Sequence, residues 1–255
     1  MTNAFPLIVE LPKVISTVGW KWETFSPDIQ DLKEFWIGTD LNGNRWLTKL
    51  RGSFYAYREI VFTHIAQSMG ISCQSSTYII LDSESATILG GQAGDVHSAH
   101  WFIEEHSIEP CSDSCPYHQL KHTPIFTIED LYLINIPNIL DWPKSEFLAY
   151  LLGANELSDR LFTKNHELVI IDSEQMFSTN HHKFNTLNWW FNHDKTPSST
   201  GKKMVKEICA KFASLNITDI KKALTVPAGI TIPKDKLKHV SLITWNSYEY
   251  AKSYS

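Results

Sequence analysis

The stretch RWLTKLRGSFYAYREIVFTHIAQSMGISCQSSTYIILD, residues 45–82, decides the fold. WLTK is the second arm of a β-hairpin over residues 34–50, because the Asn42-Gly43 pair inside DLNGN is a strong two-strand turn signal. That strand ends on Lys49. From Phe54 to Met69, apolar residues recur at three- and four-residue spacing (Phe54, Tyr57, Val61, Ile65, Met69), which predicts an amphipathic helix closed by Gly70. STYIILD, 76–82, then reads as a short buried strand, and SESATILGGQAGD after it as a connector. The order strand, strand, helix, strand leaves a lysine at one strand end and Glu59 early in the next helix.

Working outward, the chain has 255 residues, 43% of them apolar and 12% aromatic, enough to bury one large core or two adjoining lobes. A net charge of −5 with no long run of like charge argues against direct nucleic-acid binding. The first residues, MTNAFPLIVELPKVI, lack a basic leader, and Glu10 and Lys13 interrupt their apolar patch, so we expect no membrane span and a cytoplasmic protein. Four cysteines are too few for a disulfide scaffold. Cys73 and Cys209 read as small buried hydrophobes.

Beyond residue 82, the stretch 127–152 reads as helical, broken around IPNILDWP and resuming from Ser145 to Leu152. DRLFT and HELVIID follow as two strands about the turn KNH, and a last helix runs from about Lys202 to Leu215 with Val205, Ile208 and Phe212 on one face. The apolar run Leu168 to Ile171 ends on a carboxylate, Asp172. An aspartate there is most often a turn or cap residue, as a strand-end lysine is most often a solvated charge. Lys49, Glu59 and Asp172 taken in order are nevertheless the parts of a nucleotide-phosphate site: a lysine to neutralise phosphate oxygens, a glutamate to orient it, and an aspartate to hold magnesium.

RWLTKL, YREIVFTHIAQSMGI and STYIIL resemble the N-lobe of the HipA-like kinases, relatives of the phosphoinositide-kinase-like fold, and FLAYLLGANELSDRLFTKNHELVIIDSEQMF resembles the catalytic segment of that family. The resemblance covers residues 34–82 and 145–178. It implies an α+β, two-lobed kinase-like fold, with a nucleotide-clamp lobe at 1–84 built on a small antiparallel sheet and one helix. A larger helical lobe would follow at 85–255. It further implies ATP- and magnesium-dependent phosphoryl transfer to a serine or threonine of a protein substrate, with Lys49 and Glu59 as the clamp and Asp172 on the metal. Asp159, thirteen residues before Asp172, falls where the family has its metal-binding Asn, and its oxygens also suit magnesium. Five residues earlier, where the catalytic Asp is expected, stands Ala154, with Glu156 as a substitute base. Gly52 and Ser53 stand beside Lys49 in place of a glycine-rich phosphate loop. The loss at Ala154 makes an inactive pseudokinase, binding a nucleotide or a protein partner, the competing reading. Relatives of this kind include toxins that modify translation factors.

Residues 91–125 form a His/Cys-rich insertion. Cys111, Cys115, His118 and His122, with gaps of three, two and three residues, offer the thiolate and imidazole donors that structural zinc prefers, and His97, His100 and His106 stand nearby as substitutes. Incidental polar residues of a long loop are the plainer account. No HExxH, P-loop, GxGxxG or GxSxG pattern occurs. Trp189, Trp190 and Phe191 read as core anchors, and His181 and His182 as an exposed loop pair.

Overall fold

A computed structural model describes residues 12–25, 35–103, 106–107, 136, 138–154, 159–163, 167–171, 176–178 and 199–254. In chain order the elements are β1 (Val14–Ser16), β2 (Lys21–Thr24), β3 (Phe35–Thr39), β4 (Arg45–Lys49), α1 (Ser53–Ser68), β5 (Ser76–Ile80), α2 (Ser83–Leu89), β6 (Val96–Trp101) and β7 (His106–Ser107). There follow α3 (Asp141–Leu151), β8 (Asp159–Thr163), β9 (Leu168–Ile171), α4 (Ser199–Ala213), α5 (Ile217–Ala223) and α6 (Lys234–Tyr254). No helix among these residues is long and apolar enough to cross a membrane.

The expected hairpin forms β3 and β4, with Phe35 opposite Lys49 and Thr39 opposite Arg45. Asp40 organises its turn: the carboxylate accepts the backbone N–H groups of Asn42 and Asn44, each at 2.9 Å, and Gly43 supplies the positive φ of 81° that the reversal needs. This hairpin joins a six-stranded sheet of order β1-β5-β6-β4-β3-β2, antiparallel except for the parallel pair β1–β5. The sheet therefore does not end at residue 84. Strand β6, from the segment read as the start of the His/Cys-rich insertion, inserts between β5 and β4. The chain passes to a second sheet, β7-β8-β9, only after Trp101.

Three further elements differ from expectation. Residues 83–89 are helical because Asp82, read as a strand end, caps them by accepting the Ser85 N–H at 3.0 Å, and Gly90 closes them in the left-handed conformation. Helix α3 begins at Asp141, not Ser145. Pro143 lies in its first turn, where a missing N–H leaves no helical bond unmade. And α1 is not amphipathic: the whole run Ala56–Thr63 is buried, Arg58 and Glu59 included. It is sandwiched between β5 and β6 on one side and α3 and α5 on the other.

One apolar cluster unites α1 (Ile60, Val61, Phe62), Tyr78, α3 (Phe147, Leu148), β9 (Leu168, Ile170), Phe212 of α4 and Val240 of α6. The opposite face of the six-stranded sheet carries a separate cluster around Trp20, Ile79, Leu81, Ala86 and Leu89, with Trp22, Trp36 and Trp46 packed against it. Gly38 makes room for that face. A Cβ there would stand 2.5 Å from Trp20 Cε3 and 2.8 Å from Trp22 Cζ3, and neither indole can swing away as a flexible chain end does. Gly38→Ala is expected to destabilise by about 1–3 kcal/mol through overpacking, read as a lower urea midpoint with altered tryptophan emission. An unchanged midpoint would show that the indoles do not lie over Gly38.

Candidate functional site

Strand alternation sets the site. Lys49 is opposite Ser98, which is opposite Tyr78, and Leu47 is opposite His100, which is opposite Ser76, so all six project from the sheet face on which α1 packs. The Glu59 carboxylate of α1 meets them. Its Oε1 accepts from Lys49 Nζ at 2.9 Å and its Oε2 from His100 Nε2 at 3.1 Å. The pair is almost wholly out of water, with the Lys49 and Glu59 side chains 5% and 1% exposed. Burial alone would raise the Glu59 carboxyl. The His100 and Lys49 charges, with hydrogen bonds from His100 and Ser98, outweigh it and hold the group well below the usual carboxylate range.

The same face carries an aromatic group on its other half. Phe25, Phe35 and Phe102 are half-buried, with ring centroids 6.4 Å apart for Phe25–Phe35 and for Phe25–Phe102. Lys49 Nζ lies 5.8 Å from the Phe35 ring, and the Arg45 guanidinium, ion-paired to Glu23, lies 4.6 Å from the Phe102 ring. A basic centre thus borders a surface suited to a flat ring.

Strand β9, which leads toward Asp172, is fixed against the segment that follows α1. Ile170 N–H donates to Ser72 O at 2.8 Å and Gln74 N–H to Ile170 O at 2.9 Å. Asn138 grips the start of β9 through both Leu168 backbone groups and also donates to Ser72 Oγ at 3.0 Å. After residues 172–175 the chain is anchored again. Phe177 N–H donates to Leu152 O at 2.9 Å, Ser178 N–H to Gly153 O at 2.8 Å, and Arg58 Nη1 to Ser178 Oγ at 3.0 Å. Phe177 holds a positive φ of 57° while fully buried, a strained backbone that its surroundings enforce. Adjacent residues of α1, Arg58 and Glu59, therefore reach the segment after Asp172 and the lysine of the sheet.

Of the residues singled out in the sequence, Lys49 and Glu59 come together directly. Asp159 opens β8 opposite Ile171, the residue before Asp172. Glu156, Asp172, Cys111, Cys115, His118 and His122 lie outside the described residues, as do His181, His182, Trp189, Trp190 and Phe191. Ser53 begins α1, but its hydroxyl donates to Thr231 O at 3.1 Å, beside a cavity of about 450 Å³ that Gly52, Gly94 and His97 also line. His97 and His100 are structural members of β6. The Gly52 N–H donates to His97 Nδ1 at 3.1 Å, and His100 is held between Glu59 and Ser76. Among the described residues no cluster of three or more His, Cys, Asp and Glu could hold a metal ion. Cys73 and Cys209 are buried as expected, and burial pushes the Cys209 thiol up to about 11.

Sequence reasoning took His100 for a substitute zinc ligand and missed Ser98 and the three phenylalanines. The alternation VHSAHW carried the signal for the first two, since Ser98 and His100 share a parity that points both at one sheet face.

No protein-family model matches the chain, and no curated protein does. Among solved structures, the chain is similar to the Helicobacter pylori proinflammatory kinase CtkA, with a TM-score of 0.56 and 12% identity over 94% of this chain and 99% of that one. The likeness is one of fold: this chain has a kinase-like α+β fold. The likeness of fold runs over nearly the whole length of both chains.

Proposed function

We propose that this protein is a two-lobed, HipA-like kinase that uses ATP and magnesium to phosphorylate a serine or threonine of a protein substrate. The observation that carries this reading is the buried Lys49–Glu59 pair at the edge of an aromatic surface within a kinase-like fold. A charge pair this deep is costly to desolvate and is weak evidence of stability, so a role for the ammonium in binding phosphate is the economical reason to keep it. On this reading Lys49 takes the phosphate oxygens, Phe25, Phe35 and Phe102 take the base, and Asp159 and Asp172 would hold magnesium. Bound magnesium supplies charge neutralisation at the transferring phosphoryl group. Glu59 orients Lys49, and Glu156 is the substitute base. Zinc on Cys111, Cys115, His118 and His122 belongs to the same proposal as a staple of the insertion.

One observation favours a second reading. Ala154 follows α3 with its N–H given to Ala149 O and its methyl packed against the core, so no carboxylate stands where the family resemblance expects the catalytic one. A pseudokinase that binds nucleotide or a protein partner without transfer fits that residue. Calorimetric titration of ATP with and without magnesium, on the wild type and Asp172→Ala, tests the site. We expect magnesium-dependent binding that Asp172→Ala weakens by about tenfold or more. Binding without phosphoryl transfer to any protein acceptor selects the pseudokinase, and no ATP binding under either condition sinks both nucleotide readings.

A further inference from the structure

The geometry points to His100 as a positioning residue that keeps Glu59 ionised and oriented independently of Lys49, so that the lysine can turn from the glutamate to a bound phosphate. This rests on the nucleotide reading above and adds a third member to its clamp.

His100 is 3% exposed and lies between two partners, Glu59 Oε2 at 3.1 Å from Nε2 and Ser76 Oγ at 2.8 Å from Nδ1. An ionised carboxylate has no hydrogen to give, so Nε2 carries one and donates it. Ser76 can give or accept, which leaves that assignment unchanged whether the ring is neutral or charged. Thr63 Oγ1 lies 3.4 Å from Ser76 Oγ and joins α1 to the same chain of hydroxyls. The imidazole meets Glu59 from α1 and Ser76 from β5, and behind these partners stand Thr63 on Ser76 and Lys49 and Ser98 on Glu59.

The two carboxylate oxygens consequently have different duties. Oε1 meets Lys49, while Oε2 is tied to the sheet through His100. Were Lys49 the sole partner, moving its ammonium toward a phosphate would strand a buried charge on Glu59. With donors from His100 and Ser98 in place, that charge stays satisfied.

The test uses lysine reactivity as well as nucleotide. The full-length wild type and folded His100→Leu, His100→Gln and Ser98→Ala variants are treated with an amine-acylating reagent, and Lys49 modification is timed by mass spectrometry. Magnesium-ATP affinity is measured in parallel. In His100→Leu the carboxylate loses the donor that lets it release Lys49 and keeps the ammonium as its main partner, so Lys49 is expected to react about tenfold more slowly and magnesium-ATP to bind about tenfold more weakly. Gln places an amide N–H near the Nε2 position and should restore both toward wild type. Ser98→Ala should shift both in the same direction by less, and it carries the test if His100→Leu does not fold. Wild-type Lys49 reactivity in folded His100→Leu, or in Ser98→Ala alone, would overturn the proposal. Slower Lys49 acylation in His100→Leu, in a protein that binds no ATP even as wild type, would support the clamp and overturn the nucleotide reading instead.

Discussion

Glu59→Ala is expected to destabilise the protein by about 3–5 kcal/mol, because it leaves a buried ammonium and a buried imidazole without their shared acceptor. The cost follows from position. The Lys49 side chain is 5% exposed and that of Glu59 1%, so water does not replace the lost carboxylate in place. Glu59→Gln keeps an acceptor oxygen in place and should cost less. The pH dependence has a definite sign: the native carboxyl is held below its ordinary value, so its contribution is complete above an unfolded carboxylate value of about 4.3 and is lost as the pH falls below that. Urea denaturation at pH 7 and at pH 3.5 reads both effects, and the gap between wild type and Glu59→Gln should narrow at the lower pH. A loss below about 1 kcal/mol for Glu59→Ala at pH 7 would put the pair at the surface, where exposed ion pairs contribute that little.

What could be read from sequence divides along physical lines. The hairpin, α1 and the strand pair β8–β9 were legible because each is decided locally, by Asn42-Gly43, by the three- and four-residue spacing through α1, and by two short apolar runs about a turn. Lys49 and Glu59 were legible for the same reason, since a strand end and the first turns of the next helix fix both. Illegible features depend on partners distant in the chain. Asp82 looks identical as a strand end or a helix cap until the Ser85 N–H is seen to point at it. Asn138 sits in a run that reads as a helix break, yet it is the bracket that holds β9 to Ser72. His100 sits in a histidine-rich stretch that suggested metal, and only the pairing of β6 with β4 and β5 turns it toward Glu59. The run Ala56–Thr63 resists sequence reading because a helix buried on all sides loses the polar stripe that shows which face is inward.

The paired replacement Lys49→Met with Glu59→Leu separates a structural from a functional reason for the ion pair. Lys49→Met alone should cost less than Glu59→Ala, because Glu59 keeps the His100 and Ser98 donors. Removing both charges ends the desolvation penalty, and apolar pairs of similar volume in such sites are often as stable as the ions they replace. The double variant is therefore expected to recover most of the lost stability, with a coupling energy of about 2 kcal/mol in the double-mutant cycle, reduced by the donor that His100 then cannot satisfy. Magnesium-ATP binding should not recover with it: without the ammonium, affinity is expected to fall by about thirtyfold or more, the scale of one lost charge-assisted hydrogen bond. Stability and binding then move in opposite directions, which is the behaviour of a pair kept for its ligand. A double variant that binds magnesium-ATP as the wild type does would show that Lys49 touches no phosphate, and the site would have to be sought elsewhere in this kinase-like fold.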